Sequence, residues 1–235
     1  MAATILTEHL RKVYGNKIAV GDLTTDFYAG QVVALLGENG AGKSTMLNMI
    51  AGFLTPTGGK ITIMGEDLAL NAEECKKNIG FLPEGSPLYE DMNVESFLSY
   101  MAELKQTSKS QVKEVIKIAN LEDVTDCKIE ELSKGYRRRV GFAVSQLGNP
   151  QILLLDEPTD GLDPNQKAHL LGLIKDMGKE KTIVVSTHLL DEAQTIADRI
   201  MIMHKGIIKM DGDLDSILKR TRTNSLDNAF VKLTR

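Results

Sequence analysis

Residues Gly37, Glu38, Asn39, Gly40, Ala41, Gly42, Lys43, Ser44 and Thr45 constrain this chain more than any other stretch, because they fit the pattern G-x-x-x-x-G-K-[ST] in a strand, turn and helix setting. The apolar run 32–36 reads as a buried strand and 37–42 as a glycine-rich turn. A helix is expected over 43–50, with Leu47 and Ile50 on one face and Gly52 as its left-handed stop. Glycine lets the backbone wrap closely enough for its N–H groups to surround an oxyanion, and the helix start adds a positive dipole. Lys43 is expected to reach the terminal phosphates of a nucleotide, and the Ser44 hydroxyl to ligate Mg²⁺.

A second motif supplies carboxylates. Residues 151–155 form a hydrophobic strand that ends in Asp156 and Glu157. Such a strand cannot hold unpaired charges inside a sheet, because burying them is expensive. Beside a phosphate site, Asp156 is placed to hold Mg²⁺ directly or through water, and Glu157 to polarise a water towards the γ-phosphate. After it come a helix over 164–177, with Pro164 in its first turn after Asp163, and a strand over 182–186. Repeated strand-helix units imply an α/β fold with a parallel sheet covered on both faces and ligands at the carboxyl ends of its strands. The stretch 58–65 adds a turn and a short strand, and a second, open-faced sheet is expected near the N-terminus.

Between these parts the pattern is helical. Asn93 can cap a helix carrying Val94, Phe97, Leu98 and Met101, and Ser108 with Gln111 has the form of a capping box before Val112, Val115 and Ile116. The run Arg137, Arg138 and Arg139 reads as a solvated or ion-paired helix face with no catalytic role. Residues 220–224 read as a short polar linker before a last small helix.

Composition narrows the function classes. With 235 residues, 42% hydrophobic and 26% charged, the chain can bury one large core or two modest ones. Its longest apolar stretches fall far short of the roughly 20 residues of a membrane span. The N-terminus lacks the long apolar core of an export signal, so a cytoplasmic chain is expected. A net charge of −4 argues against coating nucleic acid. Cys75 and Cys127 have no metal-ligand spacing and are expected to be reduced.

Taken with these motifs, the chain resembles an ATP-binding-cassette (ABC) ATPase over nearly its whole length. Leu132, Ser133, Lys134, Gly135 and Tyr136 stand where that family has its Leu-Ser-Gly-Gly-Gln signature. Gly161, Leu162 and Asp163 resemble the D-loop, His188 the switch histidine, and Tyr14 the aromatic that stacks on adenine. The resemblance implies a P-loop NTPase (RecA-like) core with an N-terminal antiparallel β subdomain over 1–84 and 150–235. It places a helical subdomain carrying the signature over 85–149. It also implies ATP and Mg²⁺ as ligands, and head-to-tail pairing with a second copy or a related cassette. Each ATP would then lie between one phosphate loop and the opposite Ser133 to Gly135 edge. A separate membrane-spanning permease would complete the system, with this chain peripheral on the cytoplasmic face of the cell membrane.

The chain departs from the family at two places. Glu84 stands where many cassettes have Gln, and it can still reach Mg²⁺ and the attacking water while adding negative charge. Lys134 and Tyr136 replace Gly and Gln of the signature, and Lys134 would carry positive charge towards the opposed γ-phosphate, offsetting Glu84. Both departures, with the stretch 225–234, resemble export-type ABC-2 cassettes, including multidrug, sodium-efflux, copper-related and gliding-motility members. The alternatives are a soluble cassette ATPase without a transport role, for example of the iron-sulfur assembly type, and a module that holds ATP without hydrolysing it.

Overall fold

Two sheets organise the chain in the computed structural model, which describes residues 2–235. The first strands, β1 (Ile5–Tyr14) and β2 (Lys17–Phe27), pair as an antiparallel hairpin, and β3 (Gln31–Leu36) then dives into the interior. After α1 (Lys43–Ile50), β4 (Gly58–Ile63) returns to pair with β1, and β5 (Glu66–Asp67) extends that sheet. Its order is β2-β1-β4-β5, antiparallel throughout, as expected near the N-terminus.

The chain continues through α2 (Ala72–Lys77) and β6 (Ile79–Leu82) into α3 (Val94–Leu104), α4 (Lys109–Ile118) and α5 (Lys134–Gln146). It then alternates again: β7 (Ile152–Asp156), α6 (Pro164–Met177), β8 (Thr182–Thr187), α7 (Leu190–Ile196) and β9 (Arg199–His204). β10 (Ile207–Gly212), α8 (Leu214–Thr221) and α9 (Leu226–Thr234) finish it. The second sheet has the order β10-β9-β3-β8-β7-β6, parallel except for the β9-β10 hairpin.

Side-chain alternation along these buried strands feeds cores on both faces. Ile152 and Leu154 of β7 pack with Met46, Leu47 and Ile50 of α1 and with the first sheet, while Leu153 and Leu155 pack with α3, α5 and α6. A smaller core joins Ala34 and Leu36 to Ile200, Ile202, Ile217, Leu226 and Ala229. The carboxyl ends of β3, β7 and β8 deliver Gly37, Glu157 and His188 to the same edge. Among the described residues, no helix is long and apolar enough to cross a membrane.

Three helix ends follow the sequence. Asn93 Oδ1 accepts from Ser96 N–H at 2.8 Å, Asp163 Oδ1 from Asn165 and Gln166 N–H, and Gly52 takes φ 72° just beyond α1. The capping box at Ser108 does not form. Its hydroxyl lies 2.8 Å from that of Ser110, and Gln111 Oε1 instead accepts from the Thr107 hydroxyl and from Gly148 N–H. The linker expected over 220–224 is shorter, because α8 continues to Thr221, whose buried hydroxyl bonds Ile217 C=O. Lys232 Nζ, donating to Thr221 C=O at 2.8 Å, then ties α9 back against that end.

Candidate functional site

The loop after β3 is wedged so tightly that side chains are excluded. A Cβ on Gly42, at φ 110°, would stand 2.3 Å from Ala19 C=O, and one on Gly37 would stand 2.5 Å from Met203 C=O. Gly42 forms the N-terminal boundary of α1, where the first helical N–H groups have no intrahelical partner. Asn39, Gly40, Gly42, Lys43, Ser44 and Thr45 line an open cavity of about 520 Å³, whereas Gly37, Glu38 and Ala41 of the same loop do not line it. Lys43 is buried, and Nζ folds back to donate to Gly37 C=O at 2.7 Å and Glu38 C=O at 3.2 Å.

The end of β7 supplies the facing wall. Glu157 takes φ 50° and its N–H donates to Ser186 C=O at 3.0 Å, so its side chain turns out of the strand line towards the loop. Its Oε1 lies 3.7 Å from Lys43 Nζ and its Oε2 3.0 Å from His188 Nδ1. Tyr14, Glu84 and His188 line the same cavity. Tyr14 is half exposed, with the Lys12 ammonium 5.2 Å from its ring centre. Asp156 lies deeper, with Oδ1 accepting from the Ser186 hydroxyl and Oδ2 buried without a hydrogen-bond partner. Such an orphan is costly unless a donor or a cation meets it. A buried carboxylate oxygen left without a donor fits Mg²⁺, which takes few protein oxygens and the rest from phosphate and water.

The signature edge does not line this cavity. Ser133 Oγ caps α5 by accepting from Tyr136 N–H at 3.3 Å. Tyr136 is stacked on the Arg139 guanidinium, 4.0 Å from its ring centre. Lys134 Nζ is ion-paired with Asp160 Oδ2 of its own chain at 2.8 Å, both exposed, so within one chain its charge meets Asp160 and not Glu84. Asp163 caps α6 on the same side.

Two functional features escape a reading of the sequence. The arginine run is not uniformly solvated. Arg137 pairs with Glu90 at 2.9 Å, as an ion-paired face should, but Arg138 is 5% exposed and donates to backbone carbonyls of Pro83, Asp156 and Glu157. Burial pushes the Arg138 pKa down, and Asp156, Asp160, Glu157 and Glu84 push it up. Gly141, one turn further along α5, is the available signal of a close helix approach; a Cβ there would stand 2.8 Å from Leu82 Cδ1. The second feature is Glu192, fully buried, which accepts from the Thr159 hydroxyl at 2.5 Å and the Thr187 hydroxyl at 2.8 Å and pairs with Lys167 Nζ at 3.0 Å.

Comparison with known proteins shows the family and the fold. The sequence profile of the family described as ABC transporter matches residues 20–160. The human phospholipid-transporting ATPase ABCA3 is 36% identical over 220 residues, which are 90% of this chain and 13% of that protein. The Nod factor export ATP-binding protein I of Rhizobium sp. (strain N33) is 34% identical across 89% of this chain and 71% of its own length. A solved ATP-binding subunit of an ABC transporter superposes with a TM-score of 0.90 at 31% identity, covering 99% of this chain and all (100%) of that one. A dimeric ATP-binding cassette in a post-hydrolysis state with ADP and Pi gives 0.83 at 27% identity, covering 89% and 98%. The chain belongs to the ABC transporter family, as an ATP-binding cassette.

Proposed function

We propose that this chain is the ATP-binding and ATP-hydrolysing subunit of an export-type ABC transporter. In this reading it pairs head to tail with a second copy or a related cassette and serves a separate permease from the cytoplasmic face of the membrane. The observation that carries the reading is the meeting of Lys43, Glu157 and His188 at one cavity bordered by the phosphate loop.

Tyr14 at the cavity wall offers its face to adenine, and the loop N–H groups take the phosphates. Lys43, now held by two neutral carbonyls, gains by moving to a phosphate oxygen, because bonds between charged partners are about twice as strong. That movement frees Glu157 Oε1 to accept a hydrogen bond from the attacking water and to take its proton. His188 holds the other oxygen, Oε2, which fixes the carboxylate's orientation, and its half-exposed ring would be available to the γ-phosphate. Ser44 and Asp156, with Glu84 nearby, would hold the Mg²⁺ that neutralises phosphate charge. The start of α5 at Ser133, set apart from the chain's own loop, is a helix N-terminus fit to close on the partner's nucleotide.

The export assignment is supported by the Rhizobium relative, whose name describes export, and pairing with a second cassette by the dimeric neighbour. This chain spans a small part of the ABCA3 relative, so that protein's phospholipid cargo is no guide here. The test is phosphate release by the purified chain with Mg²⁺ and ATP, against Lys43→Ala, followed by identification of the membrane protein that copurifies from detergent extracts. Release equal in both proteins would reject the site. A cassette that copurifies with no membrane protein, and instead with iron-sulfur assembly factors, would reject the transport role.

A further inference from the structure

Arg138 differs from its two neighbours in lying inside the protein, and its terminal nitrogens divide between two loops. Nη1 donates to Pro83 C=O at 2.7 Å and to Ser86 Oγ at 2.8 Å, on either side of Glu84. Nη2 donates to Glu157 C=O at 3.0 Å and to Asp156 C=O. Each loop contains a residue in the left-handed region, Ser86 at φ 42° and Glu157 at φ 50°, a conformation that persists only where surroundings enforce it. Glu157 is held from both sides, by Ser186 C=O at its N–H and by Arg138 at its own carbonyl. The helix can come this close because Gly141 has no side chain to strike Ser86 Oγ, which a Cβ would meet at 2.8 Å. A buried guanidinium bonded only to neutral acceptors is a poor choice for stability alone. The four carboxylates it feels, Asp156, Asp160, Glu157 and Glu84, surround or adjoin the cavity.

We propose that Arg138 is a positioning residue for hydrolysis, clamping the backbone at Glu157 and the turn at Glu84 in one fixed relation so that both carboxylates face the phosphate loop. The proposal rests on the reading of Glu157 as the residue that activates water. Because α5 begins at Ser133, the same guanidinium ties the signature edge to this chain's own Glu157.

Arg138→Lys keeps the charge and loses the planar fork that serves two loops at once. Its kcat is expected to fall about ten-fold or more while the ATP dissociation constant stays within about two-fold, since the phosphate loop is untouched. Amide hydrogen exchange, measured without nucleotide, should rise together in peptides covering 83–86 and 156–160. A kcat near the wild-type value, equal losses of binding and turnover, or exchange rising in one loop alone would overturn the proposal. Should Arg138→Lys fail to fold, Ser86→Ala removes a single acceptor and is expected to lower kcat by about two-fold or more at constant ATP affinity; an unchanged kcat there counts against the clamp. A wild-type chain that binds ATP and releases no phosphate refutes the hydrolysis reading instead, and the exchange data then decide the clamp by themselves.

Discussion

Nδ1 of His188 lies 3.0 Å from Oε2 of Glu157, so the ends of two adjacent parallel strands share one hydrogen bond above the phosphate loop. The opposite oxygen of the same carboxylate faces Lys43 at 3.7 Å. Glu157 is thereby contacted from both sides. The loop, the carboxylate and the imidazole follow β3, β7 and β8, and the parallel register of these strands brings them together.

Lys43→Met should fold and lose nucleotide. The methionine fills the buried space but cannot donate to phosphate, and a hydrogen bond to a charged group contributes about 1.5–3 kcal/mol. ATP affinity, read by fluorescence titration, is expected to fall about ten- to a hundred-fold. Affinity unchanged within two-fold would remove Lys43 from the phosphate site.

The two inner glycines of the loop should behave differently. Gly42→Ala adds a Cβ 2.3 Å from Ala19 C=O at a left-handed φ of 110°, whereas a Cβ added to Gly40, at φ 81°, would meet nothing within 4 Å. Chemical unfolding is expected to show a loss of about 3 kcal/mol or more for Gly42→Ala and about 1–2 kcal/mol for Gly40→Ala. Equal losses would contradict the wedged backbone.

Glu192 links residues beside the turns that carry Glu157 and His188, Thr159 two positions after the first and Thr187 immediately before the second. Glu192→Ala strands two hydroxyls and leaves Lys167 without its buried partner, so a loss of about 3 kcal/mol in stability and a fall in turnover are expected together. Full activity in urea-free buffer with wild-type stability would show the network to be dispensable.

The two thiols should be distinguishable in the native protein. Cys75 is 1% exposed, and burial, reinforced by Glu66, Asp67 and Glu74, raises its thiol pKa, whereas Cys127 is partly exposed. Because the thiolate is the reactive form, Cys75 labelling should lag behind Cys127 at pH 8 and gain as pH rises. Unfolding in denaturant should equalise the two. Faster labelling of Cys75 than Cys127 at pH 8 would contradict the packing of α2 on β5.

What the sequence makes legible is local. The loop from Gly37 to Thr45, the cap at Asn93 and the proline start of α6 are each written in a few adjacent residues, and each forms as expected. Ser108 fails because its partner Gln111 is claimed by Thr107 and Gly148, the latter from a different part of the chain. The β9-β10 hairpin goes unread although its turn, Lys205 and Gly206 at φ 48° and 79°, has the left-handed pair that such turns require. Arg138 misleads for a deeper reason: charge runs describe a helix surface, but which face meets another loop depends on tertiary approach. Of the site residues, Lys43, Glu84, Glu157 and His188 meet at one cavity, while Ser133, Lys134, Gly135 and Tyr136 stand apart, a separation no single-chain motif expresses.

The most direct test of Glu157 as the hydrolytic carboxylate is Glu157→Gln, followed by phosphate release and by sizing in solution with Mg²⁺ and ATP. Glutamine keeps the shape and cannot take a proton. Turnover should fall about a hundred-fold or more while ATP still binds, and the protein should accumulate as a long-lived ATP-bound dimer. Phosphate release at the wild-type rate, with the protein monomeric in saturating ATP, would contradict both the role of Glu157 and the closing of one chain's loop by its partner's Ser133 edge.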